Sequence, residues 1–173
     1  MNRIEKNLSS DHRAQAQSDD SLRYLIFSLS EEEFAIPLLD VKEVIGLSAT
    51  TPIPNTPAYF KGIINLRGQV ISIMDLRLKL NLKKADYGPE ASIIILDMDS
   101  HFLGVIVDSI NCVLPFTPEE MSEAPSSAVT SVKEAFIKSI GKKDKRLILN
   151  LDIGAILNPA DRGALGTVKK LVA

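Results

Sequence analysis

Residues 52–77 read PIPNTPAYFKGIINLRGQVISIMDLR. Two apolar, β-branched runs, Gly62 to Leu66 and Val70 to Met74, flank Arg67-Gly68, the pattern of a tight hairpin. Pro52, Pro54 and Pro57 stiffen the approach and lower the entropy it loses on becoming ordered, which suits a preorganised binding surface. Gly62 and Gly68 let the backbone turn at the ends of the first run, while Asn65 and Arg67 set polar groups beside Ile64 and Leu66. Beyond the hairpin, Leu76, Leu78, Leu80 and Leu82 alternate with polar residues as in a strand, yet Asp75 is a good helix cap, so both readings stand.

Working outward, the same punctuation recurs. Tyr24 to Leu29 and Phe34 to Ile36 flank an acidic turn, and Ser92 to Met98 and Phe102 to Asp108 flank Asp99-Ser100-His101. Residues 93 to 96 are apolar without interruption, which predicts a strand buried on both faces. Ala135 to Ile140 and Arg146 to Leu151 predict a further hairpin, although Val129, Val132, Phe136 and Ile140 also fit a helical stripe. Helices are few and short: Asp40 is placed to cap Val41 to Ile45 before Gly46, and Asp152 to cap Ile153 to Leu157 before Pro159. Short strands without βαβ alternation predict an all-β fold, barrels or a sandwich. Residues 1–20 are expected as a disordered tail, 21–158 as the folded part and 159–173 as a flexible tail.

The chain has 173 residues, 45% hydrophobic and 24% charged, enough for one domain or two small subdomains. With 20 basic and 22 acidic residues interspersed there is no basic field to neutralise a phosphate backbone, so nucleic acid is not an expected partner. The first 20 residues lack the apolar core of a signal peptide and the apolar runs are too short to cross a bilayer, so a cytoplasmic protein without direct membrane insertion is expected. The single Cys112, in an apolar stretch with no base beside it in sequence, reads as a small buried thiol.

Catalytic chemistry is not visible. His12 lies in the expected tail and His101 in a hairpin turn, no Cys/His spacing suits a metal, and the glycines form no phosphate cradle. Neither enzyme activity nor a cofactor or metal is expected. The competing possibility is a small-ligand or cation site built from Asp97, Asp99 and Asp108, although aspartates at hairpin ends are more often turn formers.

The stretch from Pro52 to Arg77 resembles the signature region of CheW-type domains: a proline-rich approach, an aromatic-x-Lys-Gly step, Asn-Leu-Arg-Gly, a strand and Asp-Leu-Arg. The likeness extends over about 22–158, including Phe27 to Ile36 as an opening hairpin, Leu103 to Asp108 as the "GxxVD" strand, and Leu147 to Leu157 as a closing strand and helix. Ser72 departs from the family's usual proline, which restores a backbone donor. The resemblance favours a short helical turn after Asp75. It implies two small five-stranded, SH3-like β-barrel subdomains packed side by side with a few short helices, and a non-catalytic adaptor that couples methyl-accepting chemoreceptors to the histidine kinase CheA. Carried onto this chain, it places Glu43, Val44, Gly62 and Arg67 in the region facing the kinase's regulatory domain, and Val41 and Ile110 along a groove for the cytoplasmic receptor tip. The signature residues proper are Asn65, Leu66, Arg67, Gly68, Asp75, Leu76 and Arg77.

Overall fold

The computed structural model describes residues 23–124 and 134–172. The tail expected at 1–20 lies outside the described residues, as do Val129 and Val132. Among the described residues, eleven strands run in the order β1 Arg23–Leu29, β2 Glu32–Pro37, β3 Val41–Gly46, β4 Phe60–Leu66, β5 Gln69–Asp75, β6 Ser92–Asp97, β7 Phe102–Val107, β8 Ser109–Pro115, β9 Met121–Glu123, β10 Ile137–Lys143 and β11 Arg146–Leu151. The helices are α1 Leu76–Lys79, α2 Ile153–Ile156 and α3 Pro159–Val172, with 3-10 turns at Leu38–Asp40, Pro118–Glu120 and Glu134–Phe136. The protein is mostly β, as expected.

The strands form two sheets, one ordered β8-β1-β2-β11-β10-β9 and the other β3-β6-β7-β5-β4. The sheets follow one plan: an edge strand, an antiparallel hairpin, a parallel junction and a second hairpin. The parallel junctions are β2 with β11 and β7 with β5. Registers match residue for residue. Val41, Glu43, Val44 and Ile45 face Leu96, Ile95, Ile94 and Ile93, just as Ile110, Cys112, Val113 and Leu114 face Phe27, Ile26, Leu25 and Tyr24. The bulge at Lys42 is matched at Asn111, and that at Lys61 at Lys138. The N–H of Asp75 donates to the Tyr59 carbonyl at 2.7 Å, and that of Asp152 to the Phe136 carbonyl at 2.8 Å. Residues 23–80 and 92–157 are thus two copies of one unit, and each sheet joins a hairpin from one copy to strands from the other.

Strands in such an arrangement bury both faces. On β6, Ile94 and Leu96 enter a core shared between the sheets with Phe27, Phe34, Met74, Val105 and Leu151. Ile93 and Ile95 enter a cluster of the second sheet's own, with Ile64, Ile71, Ile73 and Ile106. The first sheet has its counterpart in Ile26, Ala35, Phe116 and Ile148. The uninterrupted apolar run at 93–96 reflects this two-sided burial.

The structure corrects four expectations. Val41 to Ile45 is strand β3, not a helical turn; only Leu38–Asp40 is helical, because the β-branched Val41, Val44 and Ile45 find backbone partners on β6. The first sheet has six strands rather than five, since Met121–Glu123 adds to its edge. Cys112 lies on β8 and is only partly buried. Residues 159–172, expected as a flexible tail, form α3.

That helix has a specific anchor. Asn158 and Asp161 cap its start reciprocally: the Asp161 N–H donates to Asn158 Oδ1 at 2.8 Å, and the Asn158 N–H to Asp161 Oδ2 at 3.1 Å, with Pro159 in the first helical position. Lys79 Nζ reaches Asp161 Oδ2 at 2.5 Å, the two side chains being 5% and 0% exposed. The Tyr59 hydroxyl donates to the other carboxylate oxygen, and the Lys79 ammonium lies 4.4 Å from the Tyr59 ring centroid. Burial by itself raises the Asp161 carboxyl, but hydrogen bonds from Lys79, Tyr59 and Asn158 outweigh it and hold the group below the ordinary aspartate value. Burial and the same contact push the Tyr59 hydroxyl up to about 12. At the core, Leu165 is buried in the shared cluster.

Gly62 has a different structural duty. Beyond β3 the chain returns to β4 through a bridge between Thr51 and Ile63, with both N–H···O bonds at 2.9 Å. A Cβ on Gly62 would stand 2.1 Å from the Thr51 carbonyl oxygen, and its φ is +129°. Gly68, at φ +85°, has open space around it.

Three outcomes follow for stability. Gly62→Ala should lower the urea midpoint far more than Gly68→Ala, whose left-handed backbone strain is worth about 1–2 kcal/mol, because only Gly62 meets a backbone atom. Lys79→Met should cost about 3–5 kcal/mol by leaving Asp161 buried and uncompensated. Since Asp161 is held below the ordinary aspartate value of about 3.9, the stability it supplies is present above about pH 4 and lost as pH falls further. The difference in thermal midpoint between wild type and Asp161→Asn should therefore shrink below that pH.

Candidate functional site

The Asn65-Leu66-Arg67-Gly68 signature makes a two-residue hairpin turn, with φ +51° at Arg67 and +85° at Gly68, values that match the right-handed twist of β4 and β5. Asn65 Oδ1 accepts from the Gly68 N–H at 2.9 Å and holds the turn, while Leu66 packs on the second sheet's cluster. The turn presents Arg67, 69% exposed, so that its guanidinium pairs with Glu43 of β3, 26% exposed. β3 and β4 are the two edges of the five-stranded sheet, and this ion pair spans them.

Val44 follows Glu43 and, by strand alternation past the bulge at Lys42, faces the same way as Val41. Val41 packs on the rim of the shared core and Val44 is 41% exposed. On the equivalent edge strand β8, Ile110 packs on that rim and Val113 is 42% exposed. Val41 and Ile110, named separately from sequence, therefore occupy equivalent positions in the two units, as do Val44 and Val113. Val113 was not picked out from sequence; its signal was the equal spacing of Val41 to Val44 and of Ile110 to Val113, across bulges at the matched positions Lys42 and Asn111.

The remaining sequence candidates are structural. Gly62, expected in the kinase-facing region, is buried beneath Thr51. Asp75, 5% exposed, caps α1 by accepting from the Leu78 N–H at 3.2 Å and takes a hydrogen bond from the Tyr87 hydroxyl at 2.5 Å. Leu76 is fully buried. Arg77 grips Asp108 through two nitrogens, with Nε to Oδ1 at 2.8 Å, and Asp108 also accepts from the Ser30 N–H at 2.7 Å. Asp108 thus joins β1–β2, α1 and β7.

The aspartates considered for a cation do not converge. Asp108 is committed to Arg77, whereas Asp97 accepts from the Asp99 N–H at 3.1 Å within its own turn. Asp97 and Asp99 instead act on Asp40, which burial raises, Lys138 opposes, and these two carboxylates raise further. Among the described residues no cluster of three or more His, Cys, Asp or Glu is arranged to hold a metal, and no helix is long and apolar enough to cross a membrane.

Comparison with known proteins agrees with this geometry. The CheW-like domain model matches residues 23–161. The chain is 34% identical over 147 residues to the chemotaxis protein CheW of Klebsiella aerogenes, covering 85% of this chain and 88% of the relative. It is 32% identical over 136 residues to CheW of Bacillus subtilis, covering 79% and 86%. Among solved structures it is similar to the scaffolding protein TtCheW from Thermoanaerobacter tengcongensis, at a TM-score of 0.74 and 30% identity over 82% of this chain and 95% of that one. These likenesses extend over most of the chain: the chain belongs to the CheW-like domain family.

Proposed function

We propose that the chain is a non-catalytic cytoplasmic adaptor that couples methyl-accepting chemoreceptors to the histidine kinase CheA. The observation that carries this reading is the exposed edge strand β3, where Glu43 pairs with Arg67 of the signature turn and the next residue, Val44, is open to solvent on the other face. On this reading Glu43, Val44 and Arg67 meet the regulatory domain of the kinase, and Gly62 sets the backbone beneath them. Val41 and Ile110, in equivalent positions on β3 and β8, border the groove that takes the receptor's cytoplasmic tip.

Magnitudes assign the parts. Covering an apolar side chain is worth about 1.5–3 kcal/mol, against about 0.2–1 kcal/mol for an exposed ion pair. Val44 therefore anchors the kinase contact, while Arg67 and Glu43 fix orientation and steer encounter. The same division holds in the groove, where Val41 and Ile110 supply apolar contact.

Binding of purified partners tests this. Val44→Asp should weaken binding to the kinase regulatory domain by about tenfold or more. Arg67→Ala should weaken it by less than about fivefold and flatten its dependence on salt. Ile110→Ala should weaken binding to a receptor-tip fragment while leaving kinase binding unchanged. Wild-type protein that captures neither partner by calorimetry or pull-down overturns the proposal.

A further inference from the structure

The two units do not sit side by side as separately paired sheets; they clasp. The pairings β1–β8, β2–β11, β3–β6 and β5–β7 all join residues 23–80 to residues 92–157. So do Arg77 with Asp108, Arg146 with Glu33 at 2.5 Å, and Asn111 with Ser28 at 2.9 Å. Each unit alone is left with hairpins, a short helix and an unpaired edge strand. One covalent connection links the two, residues 81–91, which contain neither strand nor helix.

Most of that connection belongs to the first unit. The Leu82 N–H donates to the Arg77 carbonyl at 2.8 Å, and Tyr87 is held by Asp75. The free pivot is the turn Gly88-Pro89-Glu90-Ala91, closed by the Ala91 N–H donating to the Gly88 carbonyl at 3.2 Å. If this turn opens, the second unit can meet the first unit of another copy and remake every pairing above. An exchanged dimer therefore differs from the monomer only at the pivot and in the entropy of association, so concentration sets the balance.

We infer that this protein exchanges halves with a second copy of itself through the Gly88–Ala91 turn, giving a dimer that carries two complete sets of edge-strand surfaces. In the folded monomer the clasp blocks exchange, so the dimer forms when chains fold together. Its formation does not depend on which partners the surfaces bind.

Ser28 of β1 and Ser109 of β8 stand directly opposite one another, one in each unit. Opposed antiparallel residues lie about 4.5–5.5 Å apart at Cα, within disulfide reach. Two full-length chains, Ser28→Cys/Cys112→Ser and Ser109→Cys/Cys112→Ser, are unfolded, mixed, refolded and oxidised. The expected product is a disulfide-linked heterodimer on a non-reducing gel, its ratio to monomer rising about tenfold per tenfold concentration while dimer is scarce. Ser28→Cys/Ser109→Cys/Cys112→Ser in one chain shows that the bond can form. If that chain closes its internal disulfide while the mixed chains give no heterodimer at any concentration, the inference is overturned. A second arm deletes Pro89 and Glu90: a shift of the refolded protein to dimer by light scattering supports exchange, and a folded monomer at all concentrations counts against it.

Discussion

Neither unit of this chain can finish a sheet without the other, and that constraint governs the rest of the molecule. A hairpin alone is marginal in water, and two hairpins with a loose edge strand bury too little to stand. The parallel junctions of β2 with β11 and of β7 with β5 supply what is missing, and both connect residues far apart in sequence. The shared core follows directly, since Phe27, Phe34 and Leu151 of one sheet and Met74, Ile94 and Val105 of the other meet only once both junctions are made. Long-range pairing of this kind delays its reward until large loops have closed, which favours slow, cooperative folding.

The clasp also explains why so many polar groups at its seams are committed. Asp108 takes Arg77, the Ser30 N–H and the corner where β7 turns into β8. Asp75 and Asp152 cap equivalent helices at the ends of equivalent strands. The Lys79–Asp161 pair extends the scheme to α3: a fully enclosed carboxylate is tolerated because an ammonium, a phenol and a backbone N–H all satisfy it.

What could be read from the sequence was local. The hairpins at 62–74, 92–108 and 24–36 were legible because turn residues and β-branched runs act over a few positions, and Asp152 announced its helix in the same way, whereas the alternating leucines after Asp75 left that helix to the resemblance. The resemblance in residues 52–77 carried the two-subdomain plan and the candidate surfaces. β3 was misread because Asp40 and Gly46 bracket it like helix caps, while its β character comes from β6, some fifty residues on. The final helix was misread because its two glycines and terminal lysines suggest a tail, and its anchor, Lys79, lies about eighty residues earlier. The internal repeat escaped notice because matched positions share pairing rather than residue type: Arg67 corresponds to Asp144, and Gly62 to Ser139.

That last correspondence bears on where function sits. Both units have the turn, the bulge and the edge strand, so the shared geometry belongs to folding. What differs is chemistry placed on it. At the closure of the second sheet the turn offers Arg67 and the edge strand offers Glu43, which pair across the gap. In the first sheet the equivalent turn residue is Asp144 and the equivalent edge residue is Cys112, so no such pair forms, and Arg146 turns instead to Glu33. Val44 and Val113 are alike in exposure, yet only Val44 lies on an edge strand that carries such an ion pair. A partner that reads apolar contact alone would meet two similar edges; one that also reads charge can tell them apart. A duplicated scaffold thereby gains two distinguishable faces from a few substitutions at matched positions, without altering the pairings on which its stability rests.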